Sequence, residues 1–121
     1  SELMHNQEKI PLVLEHQPMQ DAIIEMTNKR LGCVGVVDKE GRLTGIITDG
    51  DLRRHLSDNI MQRTAAEVMT KDPKTITPSA LAAKAIATMN EFNITCLFVL
   101  DEDKMPVGAI HLHDCLTAGL R

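Results

Sequence analysis

Shifted by 63 residues, the first half of this chain lies on the second without a gap from position 11 to position 56. Nine of the 46 aligned positions are identical: Ala22/Ala85, Ile23/Ile86, Met26/Met89, Cys33/Cys96, Val36/Val99, Asp38/Asp101, Gly45/Gly108, Ile47/Ile110 and Asp51/Asp114. Others agree in character, as Val13 does with Ile76 and Leu31 with Ile94. A period of this length means that one supersecondary unit is written twice, so whatever fold one half takes the other must take as well. Upstream, Leu3-Met4 meets Val68-Met69 at a shift of 65, so the first copy carries two extra residues before its first strand. The expected division is a first repeat over residues 1–58, a linker over 59–64 and a second repeat over 65–121.

Each copy reads as strand, helix, strand, strand, helix. Residues 10–14 form a short apolar run, after which Met19, Ala22, Ile23 and Met26 recur at helical spacing and make one buried stripe. Ala82, Ala85, Ile86 and Met89 hold the same phases in the second copy. Residues 33–37 and 43–48 are apolar and β-branched and flank Asp38-Lys39-Glu40-Gly41-Arg42, a hairpin whose glycine suits a positive φ. Residues 96–100 and 107–110 repeat this around Asp101-Glu102-Asp103-Lys104. Closing helices are expected over 49–56 and 112–119, and a short helix over 65–69 ended by Asp72-Pro73. The expected fold class is therefore α/β (α+β), two pseudo-twofold-related β-α-β-β-α repeats packed into one module.

Composition removes several functions. With 121 residues, 43% of them hydrophobic, there is material for one compact module. A net charge of -4 lacks the surplus of Lys and Arg that a polyanion demands, and Phe92 and Phe98 are the only aromatics, so no nucleic-acid partner is expected. Cys33, Cys96 and Cys115 are odd in number and never spaced as C-x-x-C, which points to reduced thiols in a cytoplasmic protein. No apolar stretch approaches the roughly 20 residues that span a bilayer, and SELMHNQEKI has no apolar signal region, so no membrane partner is expected. Beginning at Ser1, the chain is expected to be a piece of a longer protein. Neither G-x-S-x-G, a P-loop nor a Gly-rich dinucleotide turn occurs, and this piece is expected to catalyse nothing.

Chemistry concentrates in GIITDGDLRR, residues 45–54. Where a buried strand gives way to a helix, the first helical amides lack partners and favour an anion. Thr48 can offer a hydroxyl there, and Asp51 is an acceptor pair able to receive both hydroxyls of a ribose. The same Thr-x-x-Asp spacing is also that of a capping box, and the two roles can coexist. Arg53 and Arg54 in the helix's first turns oppose its dipole unless an anion is bound, or else form a solvated basic face. His111, His113 and Asp114 bring metal to mind, yet H-x-H points its side chains apart on strand or helix, so no metal site is expected.

These features resemble the tandem cystathionine-β-synthase (CBS) domain pair, over essentially the whole chain. The repeat order agrees, and so does the run of glycine, two apolars, Thr or Ser, two residues and Asp, intact as Gly45-Ile46-Ile47-Thr48-Asp49-Gly50-Asp51. The second copy departs from it as Gly108-Ala109-Ile110-His111-Leu112-His113-Asp114, with histidine at the hydroxyl's place. More narrowly, residues 48–54 and 111–119 look like the regulatory tail of arabinose-5-phosphate isomerases, which convert ribulose-5-phosphate to arabinose-5-phosphate for the lipopolysaccharide sugar 3-deoxy-D-manno-octulosonate (Kdo). The resemblance implies phosphate at Thr48, ribose at Asp51 and Asp114, and a base beside Gly32-Cys33 and Thr95-Cys96, with His111 altering the second pocket. It further implies a regulatory nucleotide (AMP, ATP, CMP or CMP-Kdo) and no other cofactor, an attached N-terminal sugar-isomerase (SIS) domain, and a homodimer or higher homo-oligomer. The alternatives are a CBS pair of another enzyme or a transporter, or a dimerising module with no ligand.

Overall fold

The computed structural model describes residues 10–29, 32–56, 59–79, 82–92, 94 and 96–111, with the side chains of Lys29 and Ala82 left aside. The chain divides into two compact units, one of residues 11–73 and one formed from residue 74 onward with Ile10. In the first, β1 (Leu12–Leu14), α1 (Met19–Lys29), β2 (Cys33–Val37), β3 (Leu43–Thr48) and α2 (Asp49–Arg54) follow the expected order. A 3-10 turn (Ile60–Gln62), α3 (Ala65–Val68) and β4 (Thr70–Lys71) complete it. The sheet order is β1-β2-β3-β4, with β1 parallel to β2 and the other pairs antiparallel. The second unit contains β5 (Thr75–Ile76), α4 (Ala82–Glu91), β6 (Cys96–Leu100) and β7 (Pro106–His111), in sheet order β5-β6-β7. The closing helix expected over 112–119 lies outside the described residues.

The 63-residue shift holds at the level of hydrogen bonding. Cys33 pairs with Thr48 and Cys96 with His111; the ladder slips at Val36/Val37 and again at Val99/Leu100. The parallel pairs translate likewise, Leu12 with Gly35 becoming Thr75 with Phe98. The cores match as well. Val13, Ala22, Met26, Val34, Val36 and Ile47 are buried in the first, with Ile23 packed against them, and their translated positions Ile76, Ala85, Met89, Leu97, Val99, Ile110 and Ile86 form the second. Two copies of one apolar pattern bury the same faces because side-chain direction follows from helical and strand periodicity alone.

The first core contains more than its repeat. Ile60, Ala65 and Val68 are buried in it, so the polar-looking stretch after residue 58 folds onto the first unit. The Ala65 and Ala66 amides donate to Gln17 O (2.8 Å) and Glu15 O (3.0 Å), and the Met19 amide donates to Arg63 O (2.9 Å). Glu67 reaches back to the Thr64 amide at 2.9 Å and the hydroxyl at 3.2 Å, holding the start of α3. Those bonds, the backbone one first, keep the Glu67 carboxyl below the usual range.

Both hairpins are built on one aspartate. Asp38 Oδ1 accepts the Glu40 and Arg42 amides, each at 3.0 Å, and Asp101 Oδ1 accepts those of Asp103 (2.9 Å) and Met105 (3.0 Å). The left-handed residue is Gly41 in one turn and Lys104 in the other. The Arg42 amide above all holds the Asp38 carboxyl below its ordinary range; burial, the next largest effect, opposes it, and the Glu40 amide and the Arg42 charge add to the lowering. A depressed folded-state value means stability that is present above the unfolded value, about 3.9, and is lost as pH falls through the folded one. Asp38→Asn should therefore narrow its stability gap to wild type as urea unfolding is moved from neutral pH to about pH 3. A gap of constant size would show that the turn owes nothing to ionised Asp38.

Candidate functional site

Thr48 ends β3 opposite Cys33, the first residue of β2, and α2 starts immediately after it. The register thus gathers Gly32, Cys33, Thr48, Asp51 and Arg53 at one end of the first sheet. Gly32 stands at φ +73° with its Cα bare toward Asp49: a side-chain carbon added there would meet Asp49 Oδ2 at 3.9 Å. That backbone state is open to glycine and strained for other residues.

The capping box is formed. The Asp51 amide donates to Thr48 Oγ1 at 3.4 Å, and Asp51 Oδ2 accepts the Thr48 amide at 2.9 Å. Thr48 Oγ1 also lies 3.2 Å from Asp51 Oδ2. Asp51 Oδ1 takes two further donors, the Arg54 guanidinium through Nη2 and the Thr70 hydroxyl at 2.8 Å. Among the described residues Asp51 is the one buried charged side chain, at 2% exposure. A buried carboxylate is tolerated where its lone pairs are met, and here four donors meet them.

Arg53 and Arg54 do not stand where the sequence suggested. Helix α2 ends at Arg54, with His55 as its C-cap, so both arginines occupy its last turn. Cations there are favoured by the helix dipole, and the expectation that they oppose it is corrected by the shortness of the helix. Their side chains nevertheless fold back toward its start. A methyl group placed on Gly50 would lie 3.5 Å from Thr48 Oγ1, 3.6 Å from Arg54 Nη1 and 3.9 Å from Arg53 Nη2. One point beside Gly50 is therefore shared by a hydroxyl and two guanidiniums, an arrangement chemically suited to an anion.

In the second unit the same register brings His111 beside Cys96, so an imidazole stands at the place of the Thr48 hydroxyl. Cys33 and Cys96 are buried and His111 is half-buried. Thr95 and Asp114 lie outside the described residues. Among the described residues no group of three or more His, Cys, Asp or Glu is arranged to hold a metal, and no helix is long and apolar enough to cross a membrane.

The family model of the CBS domain matches residues 1–58 and again residues 65–121. The chain belongs to the CBS domain family. This CBS pair is 45% identical over 121 residues to the arabinose 5-phosphate isomerase KdsD of Pseudomonas aeruginosa, covering 98% of this chain and 37% of that protein. The chain thus spans little more than a third of the length of the curated relatives it matches. Among solved structures it is similar to the CBS-pair protein CBSX2 of Arabidopsis thaliana in complex with AMP, with TM-score 0.83, 20% identity, and 98% and 93% of the two chains covered. It is equally similar to the CBS domain pair of protein MJ0100 in complex with 5'-methylthioadenosine and S-adenosyl-L-methionine, with TM-score 0.83, 23% identity, and 98% and 96% covered. The α/β architecture of two repeats is thereby that of a CBS pair.

Sequence reasoning missed Thr70 and understated Arg54. Thr70 sits on a two-residue strand that no periodicity announces, paired with Ile46 of β3. Arg54 could have been found, because Asp51 and Arg54 are spaced i, i+3, which sets them on one helix face.

Proposed function

We propose that this CBS pair is the nucleotide-sensing part of an arabinose 5-phosphate isomerase, whose sugar-isomerase domain lies in the remainder of the longer protein. The ligand's phosphate sits beside Gly50 against Thr48, Arg53 and Arg54, its ribose hydroxyls bond Asp51, and its base borders Gly32 and Cys33. The observation that carries this reading is the shared point beside Gly50, reached by one hydroxyl and two guanidiniums next to the buried Asp51 carboxylate. The 45% identity to KdsD supports the host, and relatives of this fold that hold AMP, 5'-methylthioadenosine or S-adenosyl-L-methionine support an adenosine-type ligand, with CMP and CMP-Kdo as the pathway-related candidates. Asp114, Thr95, Cys96 and His111 form the counterpart site, in which imidazole takes the hydroxyl's role. The pair acts as a cytoplasmic homo-oligomer. A nucleotide with unequal affinity for two arrangements of the pair biases the attached isomerase, since equal affinity would shift nothing.

Calorimetry of the chain with AMP and CMP tests this, and saturable heat with at least one is expected. Gly50→Ala separates binding from folding. Every contact its methyl would make is 3.5 Å or longer, and alanine is the better helix former, so stability should hold or rise slightly. The methyl enters the anion's place, however, and affinity should fall about tenfold, the loss of one charge-assisted contact. Undiminished affinity in this variant, or no heat with either nucleotide, would overturn the reading.

A further inference from the structure

Resting on that reading of the site, we infer that Arg54 is a specificity-determining residue, which surrenders Asp51 only to ligands that carry a phosphate beside a hydroxyl pair. The argument is an inventory of lone pairs. An ionised carboxylate offers about four acceptor positions, and on Asp51 the Thr48 amide, the Thr48 hydroxyl, Arg54 and the Thr70 hydroxyl take them. An incoming diol therefore needs donors to leave. The Thr48 amide is fixed in the β3 backbone, and the Thr70 hydroxyl can turn about its own bond but cannot withdraw from the site, because β4 is paired with β3. The Thr48 hydroxyl can turn about its own bond. Arg54 alone combines a long side chain with exposure, at 62% against 2% for its partner.

The guanidinium also reaches both halves of the site at once. Its Nη2 bonds Asp51 Oδ1, while its Nη1 stands 3.6 Å from the point beside Gly50 that the phosphate would take. Moving from one to the other exchanges a carboxylate for a phosphate, so the cation keeps an anionic partner and Oδ1 becomes available to a hydroxyl. A nucleoside without phosphate must evict the same cation and returns nothing to it. Arg54 thereby rejects uncharged sugars and nucleosides as well as attracting nucleotides, a repulsive element alongside the attractive one.

Calorimetry with AMP and with adenosine, on wild type, Arg54→Ala and Arg54→Gln, tests this. Wild type should prefer AMP strongly. In Arg54→Ala, AMP should weaken about tenfold while adenosine tightens several-fold, so that the preference collapses from both sides. Arg54→Gln keeps a neutral donor for Asp51 and should weaken AMP while leaving adenosine near its wild-type value, which serves also if the alanine variant folds poorly. If wild type binds AMP and Arg54→Ala alters both ligands by the same factor or neither, this inference is overturned and the site stands. If wild type binds neither AMP nor CMP, the site reading falls and takes this inference with it.

Discussion

Asp51→Ala should lower folding stability by about 2 kcal/mol and reduce AMP affinity by roughly two orders of magnitude. The first effect follows from what the carboxylate closes. Removing it leaves the Thr48 amide without its 2.9 Å acceptor at the end of β3 and dissolves half of the capping box, where a lost cap costs about 1 kcal/mol and an orphaned buried donor about as much again. Loss of the Arg54 pair adds little, because that guanidinium is mostly exposed and water replaces its partner. The Thr70 hydroxyl likewise turns to solvent, since β4 is an exposed edge. The second effect follows from two ribose hydroxyls losing a charged acceptor together, at about 1.5 kcal/mol each. Urea unfolding and calorimetry on the same preparation read the two numbers. Unchanged stability would contradict the carboxylate's place at the centre of the cap, and unchanged affinity would remove it from the ribose site.

That double role explains why spacing alone could not choose between cap and ligand contact at Thr48 and Asp51. The spacing is shared by both, and the geometry shows that forming the cap also brings the hydroxyl and carboxylate to one end of the sheet. The duplicated strands were legible for a simple physical reason. Residues 33–37 and 43–48 are apolar, β-branched and separated by a turn with its own aspartate and glycine, and the observed strands begin and end at those residues. Local chemistry decides such hairpins, and the copy at residues 96–111 repeats the decision. In segment 59–73 only the short helix was legible, expected over 65–69 and observed over Ala65–Val68, because local chemistry decides little in the rest. The segment's 3-10 turn, single-turn helix and two-residue strand are each too short to show a period, and they are held by backbone bonds to the β1–α1 connection and by Ile60, Ala65 and Val68 entering a core laid down by other elements. The direction of Arg53 and Arg54 was misjudged for a related reason. Where α2 stops sets which end of its dipole they feel, and helix ends are the least legible feature of a sequence.

Gly45→Ala should destabilise the first unit by about 2 to 3 kcal/mol, more than most single-methyl additions, because the carbon has nowhere to go. An ideal side-chain carbon on Gly45 would lie 2.4 Å from Met69 Sδ, 2.8 Å from Met69 Cγ and 2.9 Å from Thr70 O. Methionine is flexible and could swing aside. The carbonyl cannot, since β4 is pinned by Lys71 opposite Gly45 and Thr70 opposite Ile46. To relieve the clash β4 must lift from β3, breaking the short ladder, drawing the Thr70 hydroxyl off Asp51 and loosening Val68 in the core. The glycine that opens the Gly45-to-Asp51 run is thus explained by the approach of a neighbouring strand. Urea unfolding should show the loss, and hydrogen exchange should show the one β4 amide that faces β3 losing protection while the β6–β7 hairpin keeps its own. The comparison with Gly50→Ala sharpens the point: the same methyl, five residues on, meets no atom closer than 3.5 Å. One substitution should therefore damage the fold, while the other leaves the fold intact and damages only binding. If Gly45→Ala proves as stable as wild type with β4 protection intact, β4 does not pack against β3 at this distance, and the hydroxyl that Thr70 brings to Asp51 loses its anchor.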